Sequence, residues 1–187
     1  MSASQQSSLG FKAPIRGQKR GPNNEMVVYF KIKPGHEELA AKDLAAFGPI
    51  LDKAGEPWKL GLHESKLGML EGNTRLFFTT TFDPEPDIYV DDALFRLTKA
   101  LHIWFRRCEG YPGTMDVPPT NLDKLKEWYF SHWRPCTVYY RPYARTFHEI
   151  TKALSVYDTF QKVLDDPMAG KALQDPALKP LLDLASA

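Results

Sequence analysis

The residues of this sequence best suited to proton transfer or metal binding near neutral pH are its five histidines. They are His36, His63, His102, His132 and His148. No two of them are four residues apart, no HExxH motif occurs, and no cluster of cysteines and histidines has the spacing of a zinc site. The sequence also lacks a P-loop, a GxGxxG motif and a GxSxG motif. We therefore expect no metal site and no nucleotide-binding site of the familiar kinds.

His63 is the histidine placed best for catalysis. It follows a predicted strand segment in which Trp58, Leu60 and Leu62 share one face, so its side chain is expected on the opposite face. A histidine there, followed directly by Glu64, is suited to act as a general base because its charge changes near neutral pH. We predict His63 as the catalytic residue. The alternative is a hydrogen-bonded sheet histidine without a catalytic role.

A second candidate feature is a run of aromatic side chains between residues 128 and 147. Its eight members are Trp128, Tyr129, Phe130, Trp133, Tyr139, Tyr140, Tyr143 and Phe147. Three arginines, Arg134, Arg141 and Arg145, lie among them. Aromatic walls with arginine for anion pairing are typical of a pocket for a planar ligand. We predict that the substrate-binding residues are Tyr139, Arg141, His132 and Trp133. The alternatives are a core with a protein interface and stacking of a single-stranded nucleic acid.

Hydrophobic periodicity predicts an alternation of strands and helices. Apolar residues occupy every second position from Met26 to Ile32, which is typical of a strand with one buried face. Further strands are predicted over 58–70, 75–82 and 136–141. A hairpin at Glu71-Gly72-Asn73 joins the strand 58–70 to the strand 75–82. Helices are predicted over 36–47, 87–108 and 121–133, with a last one from about residue 146.

Composition and charge divide the chain into an arm and a body. Residues 1–25 are rich in Ser, Gln, Gly, Pro and Asn and carry four basic residues against one acid, so we expect a flexible basic arm. The whole chain has a formal net charge of +1, which leaves the body slightly acidic and disfavours nucleic-acid binding. Residues 26–187 are predicted to form a single domain, with added helices at about 120–134 and 146–187.

The predicted order of elements, with a hairpin between two crossovers, describes an α+β fold. It is the split βαβ arrangement of a ferredoxin-like antiparallel sheet with helices on one face. Val27, Tyr29, Phe77 and Tyr139 are then expected on the other face. An apolar sheet face without helices indicates a partner or a ligand.

The chain resembles the dimeric α/β barrel superfamily, which includes antibiotic-biosynthesis-type monooxygenases, stress-response barrel proteins and haem-binding barrel enzymes. The resemblance rests on the element order and on the exit of the first strand, where Phe30-Lys31-Ile32-Lys33-Pro34-Gly35 precedes the acidic helix start His36-Glu37-Glu38-Leu39. It implies a homodimer in which two sheets close into a barrel. The extra C-terminal helices predicted for this chain are a departure from the usual pattern of the superfamily. The resemblance also implies that ligands bind between sheet and helices.

The resemblance implies an enzyme acting on a small aromatic or polyketide-like molecule, with oxygenase-like or cyclase-like chemistry. We expect no cofactor. The alternative is haem, because some enzymes of the superfamily bind haem through a histidine ligand. His148, in the first turn of the last predicted helix, is the haem-ligand candidate, since the helix dipole there favours neutral imidazole. The competing interpretation is non-catalytic: a ligand-binding or stress-response barrel, or an accessory subunit of an oxidative enzyme.

Cellular location is predicted from what the sequence lacks. No run approaches the roughly 18 apolar residues of a transmembrane helix, and the N-terminus has no apolar segment typical of a secretory signal. We therefore expect a cytoplasmic protein with no membrane partner. Cys108 and Cys136 are accordingly expected to be free, buried thiols.

Overall fold

The computed structural model of the protein describes residue 17, residues 19–46 and residues 61–185. Three predicted features lie at least partly outside these residues: most of the basic arm, the strand segment 58–60 and the end of the first helix at Phe47. The chain divides into two compact units, one ending at Phe147 and the other beginning at His148. The sequence predicted a single domain from residue 26 to residue 187.

An antiparallel sheet of four strands forms the centre of the first unit. Its strands are β1 (Lys19–Arg20), β2 (Asn23–Lys31), β3 (Leu62–Leu70) and β4 (Arg75–Phe82). Their order across the sheet is β1-β2-β4-β3. The central strand β4 places Phe78 opposite Val28 on one side and opposite Leu67 on the other. The fold is therefore α+β with an open antiparallel sheet.

The alternation predicted for the first long strand is confirmed. Met26, Val28 and Phe30 are fully buried, whereas Tyr29 between them is 38% exposed. The strand begins earlier than predicted, however, because Asn23 and Asn24 are also buried and pair with Arg20 and Lys19. Residues assigned to the flexible arm are thus part of the sheet.

The predicted hairpin between β3 and β4 is also confirmed. Glu71, Gly72 and Asn73 all have positive φ angles, of 51°, 62° and 66°. Glycine and asparagine tolerate this left-handed conformation best, which is why the sequence Glu-Gly-Asn is a turn signal. The turn sets the register in which Leu70 pairs with Arg75.

Three helices of the first unit are α1 (Glu37–Ala45), α2 (Pro86–Phe105) and α3 (Leu122–Ser131). Proline at the start of α2 suits a position whose N–H has no partner within the helix, and the side chain of Asn121 caps α3 by accepting from the Lys124 N–H. The helices contribute to one core with the inward face of the sheet. The largest fully buried side chains of that core are Trp133, Phe30, Phe82, Phe105, Phe130 and Met26.

The prediction of a strand over Cys136–Arg141 is wrong, since these residues form no regular element. Other segments already pair with parts of the β2 edge on which such a strand would lie. Beyond β1, the Tyr29 N–H donates to the His132 carbonyl and the Arg134 N–H donates to the Val27 carbonyl. Farther along, the turn after α2 pairs with β2 through Glu109 N–H and the Lys31 carbonyl. These segments take positions along this edge of β2 that a further strand would need.

A buried cation joins α3 to α2. Lys126 is fully buried, and its Nζ lies 2.6 Å from Asp91 Oδ1 and 3.0 Å from Asp87 Oδ1. A buried ammonium group is tolerated only when carboxylates compensate its charge. These two aspartates therefore have a structural role, since they hold the start of α2 against α3.

The regular elements in the described part of the second unit are all helical. Its main helix is α4 (Phe147–Leu164), followed by the short helices α5 (Gly170–Leu173) and α6 (Lys179–Ala185) with 3-10 turns before each. None of these elements contains a buried residue. Within the described chain, no helix is both long and apolar enough to span a membrane.

Both cysteines are free, as predicted. Cys108 is fully buried, and burial raises the pKa of its thiol to about 12. Cys136 is only partly buried, although burial and the neighbouring Glu25 raise the pKa of its thiol to about 11. Neither thiol is activated as a nucleophile, because nucleophilic cysteines have a lowered pKa.

His102 makes the stability of the first unit depend on pH. It is buried on α2 beside the Tyr111 hydroxyl, and burial lowers its pKa below the ordinary value of 6.5. As the pH falls below about 6.5, His102 takes up a proton in the unfolded chain but stays neutral in the folded chain. The free energy of unfolding therefore decreases as the solution is acidified.

We expect the urea midpoint, followed by tryptophan fluorescence, to decrease between pH 7.5 and pH 5.5, with a smaller decrease in His102→Gln. The exposed His148 provides the control variant, His148→Gln, which should retain the wild-type pH dependence. An identical pH dependence in His102→Gln would show that other groups cause the acid sensitivity.

Candidate functional site

Three of the residues predicted for the site lie together in the structure. His63, Tyr139 and Arg141 line one depression of about 360 Å³ in the first unit. Its other lining residues are Glu64, Thr81, Tyr140, Pro142 and Tyr143. This volume falls within the range of small-molecule sites, about 300–1,000 Å³. Residues far apart in sequence thus form a single candidate ligand site.

A β-bulge positions His63. Leu62 pairs with Phe82 and Glu64 pairs with Thr81, so His63 is an extra residue without a partner on β4. Such a residue bends the strand and turns its side chain away from the regular pattern. The imidazole therefore reaches Asp83, the residue that follows β4, and its side chain is only 3% exposed.

The carboxylate of Asp83 accepts hydrogen bonds from three donors. Its Oδ1 accepts from His63 Nε2 at 2.5 Å and from Asn23 Nδ2 at 2.8 Å. Its Oδ2 accepts from the backbone N–H of Phe147 at 2.6 Å. Because all three partners donate, both oxygens act as acceptors, which is the arrangement of an ionised carboxylate.

The partners of His63 determine where its proton lies. Arg141 Nη2 is 2.7 Å from His63 Nδ1, and a guanidinium can only donate, so Nδ1 must accept and carries no proton. The proton is then on Nε2, which donates to Asp83. Asn23 Nδ2 also lies 3.0 Å from Nε2, but its two protons are satisfied by Asp83 and the Arg145 carbonyl. His63 is therefore a neutral ring with both nitrogens engaged.

Aromatic rings surround the outer part of the depression. The Arg141 guanidinium lies 5.7 Å from the centre of the Tyr143 ring, and its Nε donates to the Tyr143 carbonyl at 3.2 Å. The Arg20 guanidinium lies 5.3 Å from the centre of the Tyr140 ring. Tyr140 and Tyr143 are nevertheless 71% and 60% exposed. Both rings are thus held near a cation and remain open to a ligand.

Two polar atoms at this site are buried without a hydrogen-bond partner in the described part of the chain. They are Asn23 Oδ1 and the phenolic oxygen of Tyr139. Leaving such an atom unsatisfied costs about 1–3 kcal/mol, so buried polar atoms of this kind are rare. Two such atoms at one site indicate that the site is not optimised for stability alone.

The other predicted site residues lie elsewhere. His132 lines a separate depression of about 470 Å³ with Tyr29, Lys31, Arg75, Glu109 and Arg134. Its Nδ1 donates to the Trp128 carbonyl at 2.7 Å. Trp133 is 1% exposed and belongs to the core, where it packs on Phe130. The structure therefore does not bring His132 or Trp133 to His63.

The position implied for a ligand between sheet and helices is nearly filled. The cavity there measures about 50 Å³ and is lined by apolar side chains of β3, β4 and α2, among them Leu62, Phe78 and Leu94. It is much smaller than a typical small-molecule pocket. The depression at His63, at about 360 Å³, is large enough for a small molecule, whereas this cavity is not.

The residues present do not fit a haem at His148. This histidine is exposed on α4, and the described part of the second unit buries no side chain that would form an apolar pocket around it. Among the described residues, no group of three or more histidine, cysteine or acidic side chains could hold a metal ion. We therefore derive no chemical step through a haem.

Sequence reasoning missed two members of the network, Asp83 and Asn23. Asp83 directly follows the predicted strand 75–82, and Asn23 lies in the predicted basic arm. The available signal was the polar residue directly after a strand that neighbours the strand of His63. Nothing local indicated that Asn23 is buried, because its burial depends on β4 and on the segment at Arg145.

We expect Asp83→Asn to destabilise the first unit by about 1–3 kcal/mol, because the amide nitrogen would face a donor where a carboxylate oxygen now accepts. The free energy of unfolding in urea measures the effect. Asp116→Asn, at an exposed position, is the control and should change stability by less than about 0.5 kcal/mol. Equal losses in both variants would contradict the central role of Asp83.

Comparisons of the chain with family models, with curated proteins and with solved structures found no match. The resemblance to dimeric α/β barrels therefore stays an expectation. Evidence for function comes from the depression at His63 and the groups that surround it.

Proposed function

We propose that this chain binds a small aromatic or polyketide-like compound in the depression formed by His63, Tyr139 and Arg141. The observation that carries the proposal is their convergence. Three residues selected from the sequence for chemical reasons, and separated by up to 78 positions, line one depression of ligand size. If these residues belonged only to a solvated loop or to the core, they would not need to line the same depression.

The composition of the depression supports an aromatic ligand. Tyr140 and Tyr143 present exposed ring faces, on which a planar molecule can stack. Thr81 adds a hydroxyl group and Arg141 adds a cation. The hydrogen bonds of Arg141 to His63 and to the Tyr143 carbonyl hold this loop against the sheet.

A catalytic function, oxygenase-like or cyclase-like with His63 transferring a proton, is the second candidate. The observation in its favour is the short hydrogen bond of 2.5 Å between His63 Nε2 and Asp83. A carboxylate on one nitrogen orients an imidazole and stabilises the imidazolium that forms when the other nitrogen takes a proton. For His63 to act in this way, Arg141 must first leave Nδ1.

The same proposal includes a ferredoxin-like arrangement and a homodimer formed through the outer face of the sheet. The order β2-β4-β3 and the helices packed on the inner face support it. On the outer face, Val27 and Phe77 are partly buried and Tyr29 is 38% exposed. Gly68 lets the Phe77 ring lie directly over the backbone, since a Cβ there would be 2.3 Å from that ring. An apolar sheet face of this kind is suited to a second copy.

Ligand binding is tested by heteronuclear NMR of the labelled full chain with mono- and bicyclic aromatic compounds, including 2-naphthoate and 2-naphthamide. We expect the largest amide shifts at Thr81, Tyr140 and Tyr143, because these residues line the depression. Tyr143→Ala should weaken binding roughly three- to tenfold through loss of stacking.

The matched control is Tyr157→Ala, since Tyr157 is a similarly exposed tyrosine, 57% against 60%, on α4. It should leave the affinity unchanged. If no compound perturbs the depression at millimolar concentration, the proposed function is wrong.

Dimerisation is tested by sedimentation equilibrium, in which we expect twice the mass of one chain. Tyr29→Glu should shift the equilibrium to the monomer, because it places a charge on the outer sheet face. Phe95→Glu, at a residue 43% exposed on α2, is the control and should leave the dimer intact. A wild-type protein that sediments as a monomer at all concentrations excludes this interface.

A further inference from the structure

We infer that the compound bound at His63 carries a carboxylate, and that this carboxylate takes Arg141 away from the histidine. The inference rests on the proposed function, because it concerns the same depression. It adds the chemical class of the ligand and a consequence of binding: His63 Nδ1 becomes free only when an anion is bound.

Arg141 differs from other arginines of the first unit in its partners. Arg106 and Arg107 both donate to the Asp43 carboxylate at 2.7–3.1 Å, and Arg75 donates to Glu71 at 2.6 Å. Arg141 instead donates to a neutral imidazole nitrogen and to a backbone carbonyl. Within the part of the chain described, it contacts no carboxylate. Its charge is therefore compensated only by weaker acceptors.

A ligand carboxylate is a better acceptor than either of these groups. Hydrogen bonds between a guanidinium and a carboxylate are charge-assisted, and the planar fork of arginine allows two of them in parallel. Arg141 is partly buried and lines the depression, so solvent screens such a pair less than at an open surface. An anion placed over Tyr140 and Tyr143 can thus compete with His63 for the guanidinium.

The charges around His63 allow the exchange. Asp83, at the end of β4, keeps its hydrogen bond to Nε2 and holds the ring in place when Arg141 moves. Glu64, next to the ring on β3, opposes an anion, but it is exposed and paired with Lys66 at 2.8 Å. From the loop, Arg141 is the cation that contacts the ring directly. Binding of an anion therefore exposes Nδ1 toward the ligand while Asp83 continues to orient the imidazole.

Two probes with the same ring system test the inference: 2-naphthoate, which is an anion, and 2-naphthamide, which is uncharged. Affinities are measured by NMR titration of the full chain, together with the ¹⁵N resonance of His63 Nδ1. We expect 2-naphthoate to bind at least roughly tenfold more tightly than the amide. Only the anion should shift the Nδ1 resonance, because only the anion removes its hydrogen-bond donor.

Arg141→Gln should reduce the affinity for 2-naphthoate to that of the amide. Arg134→Gln is the matched control. It should not change the affinity, because Arg134 lines the other depression.

Glu64→Gln offers a test in the opposite direction. It removes a negative charge that opposes an anion at the depression, so it should strengthen 2-naphthoate binding a few-fold, and weaker or unchanged 2-naphthoate binding would contradict the anion site.

The outcomes separate the inference from the proposal on which it rests. Equal binding of both probes at Thr81, Tyr140 and Tyr143, without an effect of Arg141→Gln, would overturn the carboxylate inference and leave the aromatic site standing. Tighter 2-naphthoate binding with an unmoved Nδ1 resonance would overturn the displacement of Arg141. Absence of binding by either probe would reject the site itself and the inference with it.

Discussion

The carboxylate of Asp83 is the group on which the arrangement of the site depends. It joins segments that are distant in sequence: the bulge at His63, the first residue of β2 at Asn23 and the backbone at Phe147. Because each partner donates to it, removal of the carboxylate group would leave several donors unsatisfied at once. The network therefore specifies one relative position for these segments.

That network also determines the chemical state of the site. Asp83 holds the proton on His63 Nε2, and Arg141 occupies Nδ1. The same arginine lines the depression beside Tyr143, so the group that blocks the histidine is also the group a ligand would meet. In the proposed function, ligand binding and the availability of the imidazole are coupled through this single side chain.

The free edge of β2 explains why the loop that carries Tyr139 and Arg141 is irregular. Short segments before β2, after α2 and after α3 pair with several backbone groups of this edge. The chain that follows Arg134 does not extend this edge as a strand, and Pro135 and Pro142 further disfavour one. It lies instead at the end of the sheet near His63, where side-chain hydrogen bonds and ring contacts hold it.

The sequence alone determined the elements whose periodicity reflects burial: the buried face of β2, the hairpin of β3 and β4, and the three helices of the first unit. These elements depend on the spacing of apolar residues and on the residue types at turns, both of which can be recognised in the sequence. It also indicated His63, Tyr139 and Arg141 by residue type. Only the tertiary structure decided that these three meet, that Asp83 and Asn23 complete their network, and that Trp133 is core. Those outcomes depend on which edge of the sheet is already paired and on a one-residue bulge, and neither leaves a periodic signal in the sequence.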